Sequence, residues 1–247
     1  MDKLTLIGFV IALFAIVGGL VMEGGSALSL LHGPAFLIVV GGTLGAVMVQ
    51  TPWRQFAHAF IMLRWMLFPP AEQHKKLVTE LLDWADVARQ KGFLALEEAL
   101  DKEKDPFTRK ALIMLIDGEE PEVIRDAMDT EIILYREHML RSAKVFESMG
   151  GYSPTIGIIG AVLGLIQAMT FLSDPNELGK GIATAFVATI YGVGFANILF
   201  LPAANKLRAL IHTQVLSKEL VVEGVLALAQ GENPHRIEHR LLAFVPR

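Results

Sequence analysis

Cysteine is absent from this chain, which excludes a disulfide framework, a thiolate metal centre and a cysteine nucleophile. Charge is scarce as well. Asp, Glu, Lys and Arg make up 19% of the residues against 53% hydrophobic, and the mean hydropathy is positive, so membrane insertion is a better reading than one water-soluble globule. The scarcity is local: residues 4–22, 34–49, 153–172 and 181–203 hold no charged side chain at all. A crossing takes about 20 residues at 1.5 Å per residue. Three of these runs suffice as they stand, and the second must begin within "LLHGP" or run on to Trp53. The first run is longer than the apolar core of a cleaved signal peptide and follows a lone Lys3, so it reads as a retained span.

Catalytic chemistry is also missing. The seven histidines are scattered, the pair His235 and His239 in "HRIEH" has no third ligand, and no glycine loop of the Walker type occurs. The expectation is a protein that is not an enzyme and uses no cofactor and no metal. A net charge of −4 gives no reason to expect nucleic acid as a partner.

The basic residues are distributed very unevenly. One precedes the first span, 14 lie in residues 50–150 and six follow Ala203, against Lys180 alone between the last two spans and none in residues 23–33. By the positive-inside tendency, the central segment and both termini are cytoplasmic. The spans then form two hairpins with small outer turns, "EGGSALSLLHG" and "SDPNELGK". The expected fold class is an all-α membrane protein: a transmembrane hairpin over residues 1–50, a cytoplasmic helical domain over 51–147, a second, channel-lining hairpin over 148–204 and cytoplasmic helices over 205–247.

Within the insert, Phe56, Phe60, Leu63 and Leu67 recur at helical spacing beside Trp53 and Trp65. This pattern suits an interfacial helix, with an ordinary core helix as the alternative. Leu77, Leu81, Leu82, Ala85 and Ala88 continue the helical period, Asp105 and Pro106 open another helix, and a long one starts at Pro121. Its apolar positions run through Ile124, Met128, Ile132, Tyr135, Met139, Ala143 and Phe146 toward the third span. After the fourth span, residues 205–229 read as an amphipathic helix ended by Gly231 and Pro234. The last two spans are thus expected to continue into the cytoplasm as long extensions. A terminal helix is expected to pack Ile237, Leu241 and Leu242 onto them.

Gly157, Gly160, Ala161, Gly164 and Ala168 recur at intervals of three and four and form one smooth helix-packing stripe, which faces either the chain's own bundle or another chain. Thr184, Thr189 and Tyr191 are polar positions of the fourth span. Charged side chains are kept inside membranes only for function, and these spans have none, so an ion-driven machine built on this chain needs a carrier group from another polypeptide.

The segments "LIVVGGTLGAVMVQTP", "ARQKGFLALEEAL", "SPTIGIIGAVLGLI", "ATIYG" and "QGENPHRIEHRLLAFVP" together resemble the MotA family of flagellar stator proteins, relatives of the TolQ and ExbB energisers. Four spans paired two and two, with "GGTLGA" in the first hairpin, favour the motor branch over a TolQ/ExbB-type energiser of an outer-membrane system. The resemblance implies an inner-membrane subunit that converts ion flow into torque. It also implies a ring of five chains around two copies of a single-span MotB-type partner, which carries the ion-binding aspartate and a peptidoglycan-binding domain, and contact with a FliG-type rotor protein. Thr189 matches the family's channel threonine, Thr184 is a further ion-pathway candidate, and Ala161 stands where sodium-driven relatives have a threonine. Alanine supplies no oxygen ligand, so protons rather than sodium are expected. Pro154 and Pro202 match the family's two prolines at the cytoplasmic ends of the last spans and are expected as hinges. Arg89 and Glu97 match its rotor-binding charges, and would share a helix face if the helix continued through Gly92.

Overall fold

The computed structural model describes residues 2–71 and 73–245; Pro246, the last residue of the tail quoted above, lies outside them. Among the described residues every regular element is helical. In chain order these are α1 (Lys3–Met22), α2 (Gly33–Gln50), α3 (Trp53–Met62), α4 (Arg64–Leu67), α5 (His74–Lys91), α6 (Glu97–Lys102), α7 (Pro106–Ile116), α8 (Pro121–Thr170), α9 (Pro175–Ala229) and α10 (Pro234–Leu241). Four of them, α1, α2, α8 and α9, are long and apolar enough to cross a membrane. The chain divides into two compact units, Met1–Pro69 with Leu140–Ala209, and Pro70–Met139 with Leu210–Arg247.

Local chemistry explains the helix boundaries. Three starts pair a capping side chain with a proline at the first helical position. Asp105 accepts from the Thr108 amide at 3.0 Å before Pro106, Asp174 from the Asn176 amide at 3.0 Å before Pro175, and Asn233 from the His235 amide at 3.1 Å before Pro234. The side-chain oxygen satisfies an orphan N–H, and the proline loses nothing because its missing amide would have been unpaired. Gly92, Gly118 and Gly231 follow α5, α7 and α9 with φ of 81°, 74° and 67°, a left-handed conformation that ends a helix at little cost only in glycine.

In the first unit, Ala35, Val39, Val187 and Ala188 form a buried cluster flanked by Tyr191 and Phe195. The Phe36 ring packs edge-on against both Tyr191, at 6.1 Å, and Phe195, at 6.0 Å. The short helix α3 is fixed by an aromatic ladder. Trp53 stacks on Phe56, Phe56 meets Phe60 at 4.9 Å, and Phe60 packs edge-on against Phe146 of α8 at 5.6 Å. Its apolar period does not run unbroken to Leu67, because the helix is interrupted at Leu63. Helix α1 buries none of its side chains.

The second unit has a conventional core in which Leu81, Leu112, Leu115, Ile124, Met128, Leu220 and Leu226 are almost fully buried. Gly224 lets α9 approach α5, since a Cβ there would lie 2.6 Å from a methyl of Leu81. Ile237 and Leu241 of α10 are buried and the helix packs against α5. Leu242 departs from expectation: it is 52% exposed because the chain tightens into a 3-10 turn over Leu242–Phe244, which rotates the side chain off the buried face.

Candidate ion pathway and coupling site

The smooth stripe of α8 is occupied by α9 of the same chain. A Cβ on Gly157 would lie 2.9 Å from the Ala188 carbonyl oxygen, one on Gly160 would lie 2.8 Å from the Ala188 Cβ, and one on Gly164 would lie 2.8 Å from the Ala185 amide nitrogen. From the other side, Gly181 meets Ala168, and Gly192 meets the Ser153 carbonyl. The fourth span therefore carries a matching stripe, Gly181, Ala185, Ala188 and Gly192, at intervals of four, three and four. Two backbones in lipid come this close only where neither helix presents a bulky side chain. Ser153 adds a buried bond, its hydroxyl donating to the Gly192 carbonyl at 2.9 Å.

With that face used internally, the outward face of α9 shows Phe186, Thr189, Val193 and Asn197, all exposed and spaced by three or four. Gly160 touches Ala188, so their chain neighbours Ala161 and Thr189 lie at one level of the helix pair. Ala161 is half-buried and Thr189 exposed. The Thr189 hydroxyl donates to the Ala185 carbonyl at 3.1 Å, which leaves its lone pairs as acceptors. Asn197 is a further polar group on this face that the family pattern does not pick out; its amide nitrogen donates to the Val193 carbonyl at 2.9 Å.

Thr184 is not brought together with Thr189. It lies five residues, about 7.5 Å, along the helix, is 8% exposed, and is engaged by His32 Nε2 at 3.2 Å while donating to the Lys180 carbonyl at 2.9 Å. Tyr191 likewise reaches the first hairpin. Its hydroxyl donates to the Leu30 carbonyl and accepts from the His32 amide at 3.2 Å. Polar atoms of the fourth span thus hold the turn of the first hairpin. Spacing alone does not expose this role, because the bonded residues are more than 150 positions apart.

The two prolines lie in different surroundings. Pro154 stands inside α8, where its missing amide leaves the Gly150 carbonyl without its helical donor. Pro202 does the same to Ile198, which belongs to a π-helical turn over Phe195–Phe200. Gly150 packs onto Leu201, where an added Cβ would lie 2.5 Å from a leucine methyl, so the weakened stretches of the two spans adjoin. Nearby, Arg208 pairs with Glu147, and the Lys206 ammonium binds Asp2, Thr5 and, at 2.9 Å, the Met66 carbonyl. The Lys206 ammonium, more than the Thr5 hydroxyl, holds the Asp2 carboxyl at about 2.

Arg89 and Glu97 do not share a helix. Gly92, with φ of 81° and ψ of 171°, ends α5, and Glu97 opens α6 after a 3-10 turn. Both side chains are exposed, and among the described residues neither has an ion-pair partner. By contrast, the neighbouring Glu98 is paired with Lys102 at 2.7 Å, which lowers its pKa. Among the described residues no group of three or more His, Asp or Glu side chains could hold a metal ion.

Residues 6–91 match the motility protein A N-terminal family and residues 99–220 the MotA/TolQ/ExbB proton channel family. Motility protein A of Bacillus subtilis is 36% identical over 100% of this chain and 92% of its own length. The chain belongs to the MotA family of flagellar stator proteins. As a MotA-family chain it is a multi-pass membrane protein of a motor stator and not an enzyme. Two solved structures share its fold. That of Campylobacter jejuni MotAB has a TM-score of 0.95 at 32% identity, covering 100% of this chain and 97% of that one. The flagellar MotAB stator complex of Bacillus subtilis has a TM-score of 0.89 at 36% identity, covering 99% and 96%.

Proposed function

We propose that this chain forms the uncharged sleeve of a proton-driven flagellar stator in the inner membrane, with both termini in the cytoplasm. The observation that carries this reading is that the four apolar runs contain no Asp, Glu, Lys, Arg or His side chain, while the outward face of α9 offers the Thr189 hydroxyl between the apolar Phe186 and Val193. A proton crossing such a sleeve needs a titratable group, so an aspartate on a single-span MotB-type partner supplies it. Five copies of this chain surround two of the partner, whose wall-binding domain anchors the ring. MotB-type pairing is supported by the solved relatives, which are MotAB assemblies.

Thr189 lines the proton path and Ala161 leaves it without a sodium ligand. Protonation of the partner is felt at α8 and α9, where Pro154 and Pro202 act as hinges. The membrane field supplies about 2.3 kcal/mol per charge per 100 mV, enough to bias a two-state element roughly fifty-fold. Arg89 and Glu97 then engage a FliG-type rotor protein through complementary charge. Pull-down of this chain tests the assembly. Recovery of a single-span protein with a peptidoglycan-binding domain supports the motor, and recovery of a TolR- or TonB-like protein instead overturns it.

A further inference from the structure

At the end of α2 the chain leaves its apolar run. Pro52 turns it, and Trp53, 70% exposed, opens α3. Exposed tryptophan at such a boundary belongs to the headgroup layer. Beside it lies a recess of about 300 Å³ whose polar lining comprises Gln50, Thr51, Gln55, Arg141, Lys144 and Ser148. The Gln55 amide nitrogen donates to the Arg141 carbonyl at 2.5 Å, tying α3 to α8. The Tyr152 hydroxyl donates to Gln50 Oε1 at 2.8 Å, so the Gln50 amide group presents its N–H donors. Among the described residues, Lys144 of the lining and Arg54, which precedes Gln55 in α3, have no carboxylate partner. Residues 50–69 contain two arginines and no acid, and Glu147 on the same stretch of α8 is engaged by Arg208. Helix α3 starts without a side-chain cap, so the positive end of its dipole adds to the field.

Ammonium, guanidinium, hydroxyl and amide donors converging at headgroup depth are the chemistry that recognises a phosphodiester. We propose that this recess binds the phosphate of an anionic phospholipid of the adjoining leaflet, clamping α3 to α8 at the foot of the third span. Inorganic phosphate could use the same donors, but only a lipid also uses the exposed Trp53 beside them.

The test is native mass spectrometry of the complete chain in its purified assembly, released from phosphatidylcholine nanodiscs doped with phosphatidylglycerol. Wild type is expected to retain phosphatidylglycerol selectively. Lys144→Gln and Arg54→Gln are each expected to weaken retention about fivefold, as loss of one membrane-facing cation does, and Lys144→Arg is expected to preserve it. Unchanged thermal unfolding and assembly mass show that the variants remain folded. Equal retention in wild type and Lys144→Gln overturns the proposal, as does complete displacement of the lipid by excess inorganic phosphate.

Discussion

Gly157 and Gly192 face one another across the third and fourth spans so closely that a Cβ built on either would lie 3.0 or 2.9 Å from the other's Cα. The obstructing atoms are backbone, which cannot rotate away as a side-chain tip can. Gly157→Val is therefore expected to cost about 1–3 kcal/mol or more through overpacking and to lower the yield of assembled protein. Gly151, six residues earlier with nothing within 4 Å of its added Cβ, is the control. Gly151→Ala should leave stability equal or raise it by about 0.5–1 kcal/mol. Thermal unfolding in detergent separates the two.

Removing the Thr189 hydroxyl leaves the packing intact, because the side chain is exposed on the outward face of α9. Thr189→Val is expected to cut proton flux and swimming speed at least about tenfold, one lost charge-stabilising contact in a dry path being worth that much. Thr189→Ser should retain most of both. Normal flux in the valine variant would place the path elsewhere.

Pro202→Ala restores a donor for the Ile198 carbonyl and removes a helix breaker, so the chain should become more stable, by up to about 3 kcal/mol. Torque should nevertheless fall if the hinge is used. Bead-rotation measurements showing wild-type torque would remove Pro202 from the coupling mechanism.

Arg89 and Glu97 are exposed and unpaired among the described residues, so their reversal should change stability by no more than about 0.5 kcal/mol. Arg89→Glu and Glu97→Lys are expected to impair motility and to be rescued by opposite reversals on the rotor protein. Since Gly92 separates their helices, each should be rescued by its own rotor position and not by a shared one.

In the folded chain the Asp2 carboxyl titrates at about 2, below the unfolded value of about 3.9. The native state binds that proton less readily, so the tether of the N-terminus to Lys206 is complete above about pH 4 and is lost as pH falls through 2. Carbon NMR of Asp2 should show this depressed midpoint, and Lys206→Met should return it toward the unfolded value.

The spans were legible because a charge-free run of about 20 residues has few other physical explanations, and helix starts such as Asp105–Pro106 carry their own chemistry. The family resemblance added Thr189, Pro154 and Pro202, which no spacing singles out. The mate of the glycine stripe was also written in the chain, as Gly181, Ala185, Ala188 and Gly192. A smooth face nonetheless does not name its partner until the helices are placed. The π-helical turns at Leu37–Gly41 and Phe195–Phe200 escape a hydrophobic pattern, since one extra residue in a turn leaves an all-apolar run looking the same. The His32, Thr184 and Tyr191 contacts were hidden for a different reason: a polar residue in a span does not reveal which distant backbone it holds.

Proton flux into liposomes tests the central claim most directly, measured for the purified chain alone and for the chain assembled with its single-span partner. The account predicts no voltage-driven flux from the chain alone, and flux from the assembly that disappears when the partner's aspartate is replaced by asparagine. Proton conduction by the chain alone would contradict it.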